Sequence, residues 1–312
     1  IASCAHASIR EGEDLLSKNR FAEAARVLSA EGGSGSARDA ERARAWRGAG
    51  LAYIARQEGH DAIAACAEAI ILDPGHPGNV GLVKLIEREL MLSGVPDGWN
   101  DSLERIVAAA EPHPVLRDYV LDIEITTARY REDFEGVRSG YAAYGTINEY
   151  MVAGPFPNTA ESGVYESYPP ESEIDLDARY TDHLGREFGW EHWVSSLASA
   201  VDLDLVMGDE PNAVAYALTY VRPDEQLTGT VHLYGSGAFR LWVNGRAVFR
   251  ERTTRMTGRS LYEATVELRD GWNQILLKAG AEREPLNFFL SFRDAADNAI
   301  YPEVSADPDV YR

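Results

Sequence analysis

The residues able to do chemistry are few and dispersed along the chain. Two cysteines, Cys4 and Cys66, exclude a disulfide framework and any cysteine-rich zinc centre. His183 and His192 flank "LGREFGWE" and, with Asp182 and Glu191, could sit near a metal. Their nine-residue gap matches no established ligand spacing, so both read as surface or packing histidines. No G-x-S-x-G elbow occurs, and the "GSG" from Gly235 to Gly237 reads as a turn. Asp175, Asp177 and Asp182 in "IDLDARYTD" offer oxygen ligands but lack the D-x-D-x-D-G order of a calcium loop. A solvated acidic edge is the expectation there, so no cofactor is expected, with structural Ca²⁺ as the alternative. Four tryptophans, Trp190, Trp193, Trp242 and Trp272, are the stacking surfaces a sugar would need. Core packing is the expectation for all four. Trp190 and Trp193, in a less regular segment, are the candidate ligand-binding pair.

Those residues must be held by two unlike halves. From Trp46, the residues Ala49, Gly50, Tyr53, Ala62, Cys66 and Pro74 follow the tetratricopeptide spacing W-x2-L-G-x2-Y, A-x3-F, P, with Ala49 for Leu and Cys66 for Phe. Gly50 and Ala62 are small where two helices approach closely, and Pro74 stops the second helix. Gly12, Leu15, Ala24 and Leu28 repeat the frame upstream, with "EGGSGSARD" as the loop between repeats. Cys66 reads as a small core hydrophobe. Beyond Pro77 the frame degrades, yet apolar residues keep three and four spacing to about residue 145, so helical pairs are expected to continue. Stacked helix pairs expose a concave face that takes a peptide or a neighbouring domain.

Beyond Tyr144 the period becomes alternating. "NAVAYALTYVRP", "TGTVHLYGSG", "AFRLWVNGRAVFRE", "SLYEATVEL", "WNQILLKAG" and "LNFFLSFRD" read as short strands between turns, hence a sandwich or jelly roll. Asn244-Gly245 calls for a type I′ hairpin. In "INEYMVAGPFPN", residues 150–153 read as an early strand whose pairing Pro155 and Pro157 end, with Phe156 as a plug between them.

"EYMVAGPFPN", "YPPESEIDL" with "GREFGW", "GAFRLWVNGRAVF" and "LRDGWNQILLKAG" together resemble the galactose-binding-like β-sandwich that follows tetratricopeptide repeats in bacterial transglutaminase-like proteins. Tyr150 stands where that family's first Trp is usual. The resemblance implies a non-catalytic N-terminal region, because the family's catalytic domain needs a Cys, a His and an acid, and no cysteine lies in the strand half.

The expected architecture is therefore a multidomain α+β chain: a tetratricopeptide-like helical array over 5–146, an antiparallel β-sandwich of jelly-roll, galactose-binding-like type over 147–302, and a tail over 303–312. A net charge of −20 repels phosphate backbones and argues against nucleic-acid partners. Ile1-Ala2-Ser3-Cys4 reads either as the end of a bacterial lipoprotein signal, with Cys4 lipidated and the protein in the cell envelope, or as a chance quartet. The expected function is protein or peptide binding on the helical concavity, without enzymatic activity. Carbohydrate binding by the sandwich and a regulatory role beside a transglutaminase-like enzyme are the alternatives.

Overall fold

The computed structural model describes residues 2–35, 37–195, 200–208, 210, 212–235, 237–250, 260–281 and 286–311. It divides into two compact units, Ile1–Gly140 and Tyr141–Arg312.

The first unit is built from helices α1 (Ala2–Ser17), α2 (Phe21–Gly32), α3 (Asp39–Ala55), α4 (Gly59–Leu72), α5 (Asn79–Ser93), α6 (Trp99–Ala110), α7 (Pro114–Tyr130) and α8 (Phe134–Ala143). Each of the first four packs on its successor, α3 also packs on α1, α6 on α4, and α7 on both α5 and α6. Small residues set this spacing. A Cβ on Gly12 would lie 2.4 Å from Leu28 Cγ, and one on Gly50 would lie 2.8 Å from Cys66 Sγ. In both hairpins the partner stands sixteen residues after its glycine, so one packing solution is used twice. Pro114 opens α7, where its missing N–H costs nothing, and Trp99 Nε1 donates to Thr127 Oγ1 at 2.9 Å in the interior between α6 and α7.

Cys66 is buried at 1% exposure, and burial, aided by the negative charge of Glu89, pushes its thiol up to about 12. Almost no thiolate exists at neutral pH, which is the form that reacts. Iodoacetamide is expected to label Cys66 in native protein at less than about 1% of the rate in denaturant, read by peptide mass mapping, because labelling must wait for local opening. Fast native labelling would contradict the buried assignment.

The second unit is an antiparallel sandwich. Its strands are β1 (Glu149–Pro157), β2 (Tyr180–Thr181), β3 (Glu187–Phe188), β4 (Trp190–Val194), β5 (Val201–Asp202), β6 (Ala213–Arg222), β7 (Leu227–Gly235), β8 (Ala238–Val243), β9 (Arg246–Arg250), β10 (Ser260–Leu268), β11 (Asn273–Ala281), β12 (Asn287–Arg293), β13 (Ala299–Ile300) and β14 (Glu303–Ser305), with a short helix α9 (Leu203–Met207). The larger sheet runs β4-β1-β6-β11-β8-β9, with β14 also on β6. The smaller runs β10-β7-β12-β13, with β5 on β12. Asn244 and Gly245, at φ 51° and 77°, make the β8–β9 turn with both residues left-handed, as a type I′ hairpin requires.

Alternation assigns the two faces of the larger sheet. On β6, Ala213, Ala215, Ala217 and Val221 point into the layer shared with Val231, Leu233, Phe288, Leu290 and Phe292 of the smaller sheet. Val214, Tyr216, Leu218 and Tyr220 point to the other face, into a second cluster with Phe156, Trp190 and Trp242. The larger sheet is thus covered on both sides, which is why β6 carries a nearly unbroken apolar run.

Three boundaries differ from the expectation. Tyr141 and Tyr144 ring-pack on Phe289 and belong to the sandwich, so the division falls at residue 140 and not at 146. Residues 303–312, expected as a tail, include β14 on β6, and Tyr311 packs on Tyr220 with ring centroids 5.4 Å apart. Pro155 does not end the pairing of β1. The ladder to β4 stops at Ala153, but the ladder to β6 resumes after an irregularity with Phe156 opposite Val214 and Pro157 opposite Ala213. Proline removes a donor on one side only, and there the strand has no partner to serve.

Candidate functional site

Residues 158–189 leave β1, cross the outer face of the larger sheet, and return through β2 and β3. What pins them is a charged cluster below. Lys278 on β11, 0% exposed, donates from Nζ to Glu171 Oε1 at 2.8 Å and to the Glu166 carbonyl at 2.5 Å. Tyr216 on β6 donates its hydroxyl to the same Glu171 oxygen at 2.6 Å, and Arg240 Nη1 on β8 reaches Glu171 Oε2 at 3.2 Å. The ammonium also sits 4.9 Å from the Tyr168 ring centroid. One carboxylate from "YPPESEIDL" therefore ties three strands to the covering segment. Burial alone would raise the Glu171 carboxyl. The hydrogen bonds from Lys278 and Tyr216, and the charges of Lys278 and Arg240, outweigh it and hold the group below its ordinary value. Burial draws the Lys278 amine down, and Glu171 opposes it.

Every polar atom of this cluster that is placed on Glu171 is spoken for, so the arrangement acts as a latch. Around it Phe156 contacts the rings of Tyr168, Tyr180, Phe188 and Tyr216 at centroid distances of 5.0, 5.1, 4.9 and 5.3 Å.

The tryptophan pair is not brought together. Both lie on the regular strand β4, where Trp190 is buried in the outer cluster with Phe156, and Trp193, opposite Tyr150, packs half-buried against the inner core. Residues three apart on a strand point to opposite faces, so the two rings share no stacking platform. Trp242 is buried with Arg240 over its ring at 4.5 Å, and Trp272 packs against the outer cluster under Arg222 at 5.3 Å.

The charged candidates separate in the same way. Asp182 accepts from the backbone N–H of Leu184 and of Arg186 at 2.8 Å each, and from Arg186 Nε at 2.5 Å, closing the β2–β3 turn. Burial would raise this carboxyl, but those donors hold it below its ordinary value. Asp175 and Asp177 are exposed. His183 lies 3.7 Å from Glu210, whereas His192 pairs with Glu149 at 2.9 Å. Among the described residues no three His, Cys, Asp or Glu side chains gather as a metal-holding group. The Cys4 side chain lies outside the described residues, as does Ser236 of the "GSG" turn. Among the described residues no helix is long and apolar enough to cross a membrane.

A feature that sequence reasoning missed lies on the helical unit. Met91 and Leu92 at the end of α5, Tyr130 at the end of α7 and Phe134 at the start of α8 are 61%, 73%, 57% and 64% exposed. Tyr130 lies beside the end of α5, since a Cβ on Gly94, just past α5, would lie 2.5 Å from the Tyr130 hydroxyl. The signal in the sequence was the apolar pair Met91-Leu92 closing a helix whose buried face already ends at Leu90.

The fold defines a helical array followed by an antiparallel β-sandwich. No protein-family model and no curated protein matches the chain. Among solved structures it is similar to an anti-sigma factor domain-containing protein, at 16% identity and TM-score 0.26, over 30% of this chain and 32% of that one. A β-glucosidase from Kluyveromyces marxianus is 11% identical at TM-score 0.29, over 69% of this chain and 36% of its own. The A domain of epithelial adhesin 9 from Candida glabrata, solved with Galb1-4GlcNAc, is 14% identical at TM-score 0.28, over 52% and 86%. The matched part spans about a third of the length of the first two. Overlap at these scores says nothing of what this chain binds.

Proposed function

We propose that the chain is a binding and scaffolding module whose helical unit takes a protein or peptide partner. The observation that carries this reading is the exposure of the large apolar residues Met91, Leu92, Tyr130 and Phe134 at the ends of α5 and α7 and the start of α8, since exposed apolar surface marks interaction sites. The tetratricopeptide-like spacing from Trp46 to Pro74 supports it, because such hairpin arrays work by presenting a surface. The charge of −20 favours partners that are neutral or basic. On this reading the sandwich is a docking or spacing domain, and the parent protein is of the transglutaminase-like kind, exported to a bacterial envelope and anchored there through Cys4.

The test is quantitative capture from native envelope extract by the wild-type chain and by a Leu92→Glu/Phe134→Glu variant. A stoichiometric partner retained by the first and reduced at least about tenfold by the second is expected, since losing two buried apolar anchors removes more than about 1.4 kcal/mol of binding. An identical partner set for both chains would remove the assignment. Folding of the variant is checked by circular dichroism, and both substitutions are at exposed positions.

A further inference from the structure

The smaller sheet holds a titratable side chain that the latch does not use. Val231 and Leu233 on β7 face the layer shared by the two sheets, so alternation puts His232 on the opposite face, between Glu263 on β10 and Ser291 on β12. The residue is nevertheless 4% exposed, the one buried histidine among the described residues. Its Nε2 lies 3.0 Å from Glu263 Oε1 and 3.8 Å from Oδ1 of Asp297, in the turn after β12. Nδ1 is buried and has no hydrogen-bond partner among the described residues. Arg293, 2% exposed, follows Ser291 on the same face of β12, and the Tyr234 ring centroid is 6.4 Å from that of the imidazole.

The neutral ring fits this site and the cation does not. A carboxylate only accepts, so the Glu263 contact sets the proton of the neutral imidazole on Nε2 and leaves Nδ1 a lone pair. A second proton would put a donor on Nδ1 with nothing to receive it, and a positive charge near Arg293. Burial and Arg293 accordingly draw the imidazole below its usual 6.5, against the opposing pull of Glu263 and Asp297. The stabilisation by the neutral ring is therefore whole above pH 6.5 and is lost as pH falls from 6.5 through the folded value. Asp294, the other acid of the turn, accepts from Asn298 Nδ2 and from the backbone N–H of Asn298 and Ala296. Those bonds hold its carboxyl below the ordinary 3.8, so it stays ionised throughout this window. The least supported element beside His232 is β13, joined to β12 only through Phe292 with Ile300 and Arg293 with Ala299, whereas the β10–β7 ladder runs unbroken from Ser260 to Leu268. Local opening takes the least supported unit first.

We propose that His232 is an acid sensor of the sandwich: in mild acid it takes up a proton, the β12–β13 ladder and its turn open to hydrate the imidazolium, and the ladder closes again when the acid is withdrawn. This device is on the smaller sheet and goes beyond the helical surface proposed above.

The test uses the full chain. Nuclear magnetic resonance titration of the histidine Cε1–H signals is expected to show His232 protonating below 6.5, the signal being assigned by its loss in His232→Gln and its shift in Glu263→Gln. Hydrogen-exchange protection factors of Asn298, Ala299 and Ile300 fall as pH is lowered from about 7.5 to about 5, by at most about tenfold per pH unit, the limit for one proton. Those of the β10–β7 ladder hold. His232→Gln keeps a donor toward Glu263 but takes no proton, and it abolishes the acid response. Glu263→Gln, at an exposed position, removes a charge that favours the imidazolium and moves both the titration and the opening to lower pH. A His232 titration at or above 6.5, protection lost uniformly through the smaller sheet, or an acid response that survives in His232→Gln overturns the proposal. Leu92→Glu/Phe134→Glu responds to acid as wild type does, so the two readings fail separately.

Discussion

Glu171→Ala is expected to destabilise the sandwich by roughly 3–5 kcal/mol, because it strands the Lys278 ammonium in a site with no access to water. For a unit of this size that is a fall in melting temperature on the order of 10 °C. The reasoning depends on asymmetry. A buried pair contributes little against a well-packed apolar replacement, but half a pair leaves an uncompensated charge. Glu171→Leu/Lys278→Met should therefore lose less than either single change, a non-additivity above about 1 kcal/mol by double-mutant cycle. Acid adds a second readout. The Glu171 carboxyl sits below its ordinary 4.5 in the folded chain, so its stabilisation is present above pH 4.5 and disappears as pH falls through the folded value. Glu171→Gln should flatten the wild-type decline in that acid window. Urea unfolding followed by near-ultraviolet circular dichroism measures all of these. Single changes costing under about 1 kcal/mol, or strict additivity, would show that the cluster is not a closed latch.

The helical half and the main strands were legible because their periodicities are local. Gly12 and Gly50 mark close approaches that no larger residue fits, and Asn244-Gly245 can serve only a turn with both residues left-handed. The role of Glu171 was not legible, since its partners Tyr216, Arg240 and Lys278 come from three strands far along the chain and only the fold unites them. A lysine inside "WNQILLKAG" was the available hint: alternation puts Lys278 on the face of Leu276, where an exposed side chain would be expected on a one-sided sheet. Segment 158–189 covers that face, and its short, irregular elements carry no period. For the same reason Trp190 and Trp193 looked free, although a five-residue ladder to β1 fixes one ring on each side of the sheet. The exposed group on the helical unit escaped notice because apolar residues at a helix end look like core until the neighbouring helices are placed.

Phe156→Ala, on β1 beneath the covering segment, should cost on the order of 4 kcal/mol. The ring is 4% exposed and meets four others, two of them near perpendicular at 86° and 89°. Edge-to-face pairs of this type add roughly 0.5–1.5 kcal/mol beyond burial. The surrounding rings are held by Tyr168, whose hydroxyl donates to the Pro157 carbonyl at 2.5 Å, and by the β2–β3 ladder. They cannot all collapse into the vacated space, so a cavity remains and the cost lies near the upper end of the range. Phe156→Leu keeps most of the volume and should cost clearly less, leaving the lost ring contacts as the difference. Hydrogen exchange locates the damage: amides of 158–189 should lose protection in Phe156→Ala while β7, β10 and β12, on the far sheet, keep theirs. Equal costs for the Ala and Leu variants, or protection lost uniformly through both sheets, would mean that Phe156 is ordinary core packing and that the segment it anchors is held by other contacts.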